Sequence, residues 1–132
     1  MDFDMSIEGL DELYEILGML KGLEYLTPPM RQTVLLLQER ISRYPAAKPT
    51  SRRDGTLGRE WTTEVTLLLD NLEGKVGTNV NYAPWVQSSK FQAWMHKGWW
   101  QTDEEVMRAS TADIEHLFNA HIANFLSRYS TS

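Results

Sequence analysis

The chain has 132 residues, no cysteine and a formal net charge of -5 at pH 7. This length suits one domain with its own core, and the lack of cysteine excludes disulfides and cysteine-based zinc sites. No apolar run approaches the roughly 20 residues of a membrane span, and the acidic start is unlike a signal peptide, so we expect a single soluble domain over residues 1–132 that does not use a membrane.

The charges are unevenly distributed along the chain. Residues 2–24 carry seven acids and one base, whereas residues 31–59 carry seven bases and two acids. Acidic and basic regions of this kind can meet head to tail between copies of a self-associating protein. The split does not indicate a nucleic-acid-binding protein.

The N-terminal half predicts one strand and two helices. Apolar and polar residues alternate over residues 2–8, which predicts a strand with one buried face. Residues 10–23 show helical spacing of apolar residues. Thr27 is the expected cap of a second helix that has prolines in its first turn and ends at Pro45. The apolar stripe of this second helix consists of Met30, Val34, Leu37, Ile41 and Tyr44. Leu35 and Leu36 widen the stripe, so we expect this helix to be covered on more than one side.

Residues 45–59 form a predicted flexible basic loop. They contain two prolines, two glycines and four bases, and no periodicity. Long loops in small domains are typically functional or disordered. This loop is therefore either a solvated connection or an arm, with Arg52 and Arg53 at its centre, that docks on a partner or lies near a polyanion.

A hairpin is predicted after this loop. Apolar residues alternate with Glu and Thr from Trp61 to Leu69, the strongest strand signal in the chain. A turn at Asp70–Gly74 and a β-favouring run at Lys75–Val80 complete an antiparallel pair. Trp61 faces the core in this register.

The next stretch is rich in aromatic residues, because four of the five tryptophans lie between residues 74 and 100. Pro84 is expected to turn the chain and to end the ladder. Tyr82, Trp85 and Gln87 would then lie at one end of the sheet. Aromatic residues mixed with Gln, Lys and His suit a surface that packs partly on the core and is partly offered to a partner. Tyr82 and Trp85 could alternatively face the core.

Thr102 and Glu105 form a predicted capping box for a C-terminal helix that runs to about Arg128. A restart at Ser110–Asp113 would divide it, so one bent helix and two successive helices both fit the sequence. His121 lies on the apolar side of this helix, where we expect a hydrogen-bonded core or interface histidine.

No motif for chemistry is present in the sequence. The three histidines lack the spacing of a metal site, and no glycine-rich phosphate loop or nucleophile motif occurs. We therefore expect no enzyme activity, no metal and no cofactor.

One set of residues carries a family resemblance. Gly74, Val76, Val80, Tyr82, Ala83, Val86 and Gln87 are followed by Gly98-Trp99. In this order they resemble the tail-completion (head-tail joining) proteins of long-tailed double-stranded DNA bacteriophages. The opening Gly9 to Leu13, the loop residues Pro49, Gly55 and Leu57, and the final helix extend the resemblance over nearly the whole chain.

The resemblance implies an α+β fold, with a small, mainly antiparallel β-sheet packed against two N-terminal helices and a C-terminal helix. It also implies a non-enzymatic ring subunit, expected to be a hexamer, at the head-tail junction of the virion. The ring would be assembled in the host bacterial cytoplasm, would join the major tail tube protein to the head connector (neck) protein, and would let DNA pass without sequence-specific binding. The expected interface residues are Tyr82, Trp85, Gln87, Arg52, Arg53 and Trp99. The alternative is a small aromatic-rich binding module for a carbohydrate or peptide ligand.

Overall fold

The computed structural model describes residues 1–8, 22–45, 55–68 and 71–130. The elements in chain order are β1 (Asp2–Glu8), a 3-10 helix (Gly22–Leu26), α1 (Thr27–Ile41), α2 (Thr56–Arg59), β2 (Trp61–Leu67), β3 (Asn71–Thr78), α3 (Ala83–Gln87), a 3-10 turn (Trp94–His96) and α4 (Asp103–Ser130). The predicted α+β class is confirmed. The predicted first helix, apart from its last two residues, and the loop centre with Arg52 and Arg53 lie outside the described residues.

The sheet has β3 at its centre, in the order β1-β3-β2, and both pairs are antiparallel. The predicted hairpin is therefore confirmed, but its turn is shorter than expected. The backbone nitrogen of Leu68 donates to the oxygen of Asn71 at 2.7 Å, and Asn71 already starts β3. Gly74, which is predicted to be part of the turn, pairs with Val65 in mid-strand.

Gly74 is a glycine because α1 crosses the sheet closely at this point. A Cβ atom at this position would lie 2.6 Å from both the Met30 sulfur and a methyl carbon of Val34. Any side chain here would push α1 away from β3, since protein interiors have no room for such an overlap. The glycine thus reports helix-on-sheet packing and not a turn.

The main core lies between the sheet, α1 and α4. The predicted stripe of α1 is confirmed as far as Ile41. The buried side chains of this core include Met30, Val34, Leu37, Ile41, Trp61, Leu72, Val76, Val106, Ile114, Phe118 and Phe125. Leu35 is 55% exposed, so the expectation that α1 is covered at this position is wrong. Thr27 is the first helical residue instead of the cap, because the cap position belongs to Leu26.

The inward face of β2 is buried at one end only. Trp61 is 3% exposed and packs edge-on against Phe3, with ring centroids 6.2 Å apart, so its predicted core position is confirmed. Val65 is partly buried against the main core. Leu67 lies on the same face but is 44% exposed.

The C-terminal helix α4 is one helix of 28 residues, which decides between the two alternatives left open by the sequence. The capping box is confirmed, because the backbone nitrogen of Glu105 donates to Thr102 Oγ1 at 3.2 Å. Arg40 of α1 ties the two helices together through Ser110 Oγ at 2.9 Å. His121 Nε2 lies 2.8 Å from the oxygen of Tyr25, as expected for a satisfied histidine.

A second, smaller cluster packs beside the main core. Its buried members are Leu57, Ala83, Val86 and Trp100. The end of the predicted loop is therefore not a loop: α2 forms there and buries Leu57, which is only 3% exposed. The Tyr44 hydroxyl oxygen accepts a hydrogen bond from the Gly58 nitrogen at 3.0 Å, which holds α2 against the end of α1.

Candidate interaction surface

The candidate site is residues 79–102, which link the end of β3 to the start of α4; we call them the aromatic segment. The segment contains α3 and the 3-10 turn and is otherwise irregular. Ala83 starts α3 even though Pro84 follows it, and its nitrogen donates to the Val80 oxygen at 3.1 Å. Gly98 has a φ of 73°, a left-handed conformation that glycine adopts without strain.

The half-buried side chain of Gln92 links the irregular part of the segment through hydrogen bonds. Its side-chain nitrogen lies 2.7 Å from the oxygen of Val86, 3.1 Å from that of Trp100 and 3.3 Å from that of His96. These three backbone oxygens belong to three separate stretches of the segment. The Gln92 amide therefore provides hydrogen bonds to backbone oxygens that, in a helix or sheet, would be bonded by backbone nitrogens.

Gln87 fixes the segment to the rest of the molecule, and the prediction that it faces a partner is wrong. Its side chain is 1% exposed. The side-chain nitrogen donates to the oxygens of Ile41 at 2.9 Å and Gln101 at 3.1 Å. A buried carbonyl oxygen that has no hydrogen-bond donor destabilises the fold. The amide of Gln87 supplies this donor where the end of α1 meets the segment.

Trp100 is the hydrophobic anchor of the segment. It is 9% exposed and packs edge-on against Tyr44, with ring centroids 5.0 Å apart. Ala83 and Val86 pack in the same cluster. The segment is thus anchored to the rest of the molecule by a buried aromatic ring and by the amide of Gln87, and it is linked internally by the amide of Gln92.

Several large side chains of the segment are exposed to solvent. Six large apolar residues are exposed: Tyr82 (43%), Trp85 (62%), Phe91 (64%), Trp94 (81%), Met95 (52%) and Trp99 (38%). We call these six residues the aromatic surface. Exposed aromatic residues concentrated in one fixed segment are typical of an interaction site.

The charge of the segment is positive. Residues 82–101 contain no acid, and they include the exposed Lys90 and Lys97 and the half-buried His96. Because the whole chain carries a charge of -5, this is a local basic region on an acidic protein. A partner of this surface is expected to combine apolar and acidic groups.

Three of the six predicted interface residues are exposed in the aromatic segment. Tyr82, Trp85 and Trp99 are exposed members of the aromatic surface, whereas Arg52 and Arg53 lie outside the described residues. Phe91, Trp94 and Met95 were not among the predicted interface residues. The sequence does contain a pattern that could have indicated their exposure. Residues 88–99 follow neither a helical nor a strand period, so their large apolar side chains do not line up on one face that could be buried.

No group of three or more His, Asp or Glu side chains in the described ranges could hold a metal ion. Among the helices that the structure describes, none has the length and apolar character needed to cross a bilayer. Comparisons of the chain with protein-family models, with curated proteins and with solved structures gave no significant match.

Proposed function

We propose that this protein is a structural subunit that assembles with itself through the aromatic surface and joins the tail of a bacteriophage to its head. The observation that carries the assembly role is the fixed, outward-facing aromatic surface, in which Trp94 is 81% exposed. Large aromatic residues dominate the binding energy of protein interfaces. The resemblance of the segment around Tyr82 and Gln87 to tail-completion proteins supports the more specific role.

A fixed surface favours assembly because little conformational entropy is lost when it binds. Ordering the backbone of one residue costs roughly 1–2 kcal/mol. The hydrogen bonds of Gln92 hold the backbone of this segment before any partner arrives. The geometry thus suits repeated, identical contacts, which is what a ring of identical subunits requires.

In the proposed role the ring, expected to be a hexamer, stands at the head-tail junction of the virion. Its partners are further copies of this chain, the major tail tube protein and the head connector (neck) protein. DNA passes through the ring without being read, and the protein performs no catalysis. The resemblance supplies these partners, whereas the aromatic surface supplies the means of contact.

Two measurements test this proposal. Sedimentation velocity and negative-stain electron microscopy of the purified chain should show closed rings. Deletion of its gene from the phage that carries it should leave filled heads and finished tails unjoined, and the wild-type gene should restore joining. Heads and tails that join normally without the protein would refute the joining role, even if rings form.

The second candidate function is a binding module for a carbohydrate or a peptide. The exposed rings of Trp85 and Trp94 favour it, since stacking on sugars needs aromatic faces that are open to solvent. A binding module stays monomeric and shows a change in tryptophan fluorescence with a sugar or peptide panel. Rings without any such response would favour the assembly function.

A further inference from the structure

A groove lies between the start of α4 and strand β1. Its volume is about 440 Å3, and its floor includes Phe3 and Met107. Both side chains are partly buried and pack against the main core, so the floor has a fixed shape. The volume falls within the range of about 300–1,000 Å3 that is typical of ligand pockets, and it can accept a large side chain.

The rim of the groove is acidic. It carries the carboxylates of Asp4, Asp103 and Glu104 and the guanidinium of Arg108. Glu104 Oε1 accepts from Arg108 Nη2 at 2.8 Å. Asp103 Oδ1 accepts from the backbone nitrogens of Ser89 at 3.0 Å and Glu104 at 2.8 Å. Three carboxylates against one cation leave the rim negative, and the backbone hydrogen bonds hold Asp103 in place.

The 3-10 turn of the aromatic segment has the complementary character. Trp94 begins this turn and is 81% exposed, so the groove of its own chain does not cover it. The exposed Lys97 follows the turn directly. An aromatic ring beside an ammonium group matches an apolar floor with an acidic rim, because both the apolar surface and the charge then find partners.

We propose that the groove of each copy receives the Trp94–Lys97 turn of a second copy of this chain. The indole of Trp94 lies on Phe3 and Met107, where sulfur-aromatic contact adds to apolar burial. Lys97 faces the carboxylates of the rim. The contact rests on the self-assembly proposed above. Each copy offers one turn and one groove, so the contact can repeat from one copy to the next around a ring.

Removing the indole side chain of Trp94 tests the apolar part of the contact. Trp94→Ala should weaken self-association at least tenfold, measured by sedimentation equilibrium, with the melting temperature unchanged because the side chain is exposed. Leu126→Ala is the control, since this exposed residue lies near the other end of α4. Wild-type affinity in Trp94→Ala would overturn the proposal.

Exchanging the charges of Lys97 and Glu104 tests the electrostatic part of the contact. It also tests whether the groove is the surface that Lys97 faces. Lys97→Glu and Glu104→Lys should each weaken association about tenfold at low salt, and an equal mixture of the two variants should recover it. Recovery is expected because the unchanged Lys97 of one variant then faces the unchanged acidic rim of the other, whereas the acidic turn of Lys97→Glu faces a rim that has lost its net negative charge. Glu115→Lys, on the exposed middle of α4, is the control for adding a lysine to the helix. A mixture as weak as its components would overturn this contact.

Disulfide trapping gives a direct readout, because the chain contains no cysteine of its own. Met95→Cys mixed with Arg108→Cys should form a mixed disulfide dimer under mild oxidation, whereas Met95→Cys mixed with Leu126→Cys should not. Equal trapping in both mixtures would overturn the assignment of the groove but leave self-assembly intact. A wild-type chain that stays monomeric up to about 1 mM would remove the proposed self-assembly and this contact together.

Discussion

The side-chain nitrogen of Gln87 donates to the backbone oxygen of Ile41 across 2.9 Å, and this hydrogen bond joins the aromatic segment to the last residue of α1. The same nitrogen also reaches the oxygen of Gln101, just before α4. One amide therefore connects the end of α1, α3 and the start of α4. This junction therefore sets where the backbone of the aromatic segment lies relative to α1 and α4.

Gln87→Leu should destabilise the protein. Leucine nearly conserves the volume but donates no hydrogen bond, so the oxygens of Ile41 and Gln101 lose their donor. A buried group without its partner costs about 1–3 kcal/mol. Gln87 Oε1 has no partner among the described residues, and removing it offsets part of the loss. We expect a net loss of about 1–2 kcal/mol in urea denaturation. Gln32→Leu, on the exposed side of α1, is the matched control, and equal stability of the two variants would contradict the structural role of Gln87.

Val65→Asp and Leu67→Asp should differ strongly, although both residues lie on the same face of β2. Val65 packs against the main core, so its aspartate variant places a charge in a partly apolar site and should lose about 2–3 kcal/mol. Leu67 is 44% exposed, and its variant should lose less than about 1 kcal/mol. Thermal denaturation of both variants decides the question. Similar melting temperatures would mean that Leu67 and Val65 are buried to the same extent.

Thr102→Ala should lower the free energy of unfolding by about 1 kcal/mol, because the cap of α4 loses its hydroxyl. The Thr102 hydroxyl accepts from the Glu105 nitrogen and donates to the Glu105 carboxylate, each at 3.2 Å. The control is Thr111→Ala, because this exposed hydroxyl bonds back to the Met107 oxygen within the helix. Alanine has the higher helix propensity there, so the control should be neutral or slightly stabilising. If both variants lost the same free energy of unfolding, Thr102 would stabilise α4 no more than a threonine inside the helix does.

The sequence predicted those elements whose signals are local. The α1 stripe, the alternation at the start of β2 and the Thr102 cap depend on neighbours within a few residues, and the structure confirms each of them. The predicted place of His121, on the side of α4 that faces the rest of the chain, is also correct, because His121 packs on Tyr25. These features follow from helical and strand periods alone.

The errors concern residues whose role is set by distant neighbours. Gly74 indicated a turn, but its lack of a side chain accommodates Met30, which is far away in sequence. Gln87 suggested a polar contact with a partner, but its partner is Ile41 of the same chain. Neither contact leaves a periodic trace, since each depends on how α1 crosses the sheet. The order β1-β3-β2 could not be predicted for the same reason.

Trp85→Ala and Trp100→Ala should separate the interaction surface from its support. Trp85 is 62% exposed, and its backbone oxygen, which accepts from the Ala93 nitrogen at 2.7 Å, is kept in the variant. Trp85→Ala should therefore fold with an unchanged melting temperature. Trp100 is 9% exposed and packs on Tyr44, so Trp100→Ala should lose about 3–5 kcal/mol of stability.

Trp85→Ala, although folded, should assemble less well than the wild-type chain. A central interface aromatic contributes about 2 kcal/mol or more, so Trp85→Ala should weaken self-association roughly thirtyfold. Circular dichroism measures folding, and sedimentation with electron microscopy measures ring formation and the joining of heads to tails. Normal rings from folded Trp85→Ala would exclude Trp85 from the interface. Trp85→Ala could instead lose stability, as Trp100→Ala is expected to do. The indole of Trp85 would then support the fold of the aromatic segment and would not belong to the binding surface.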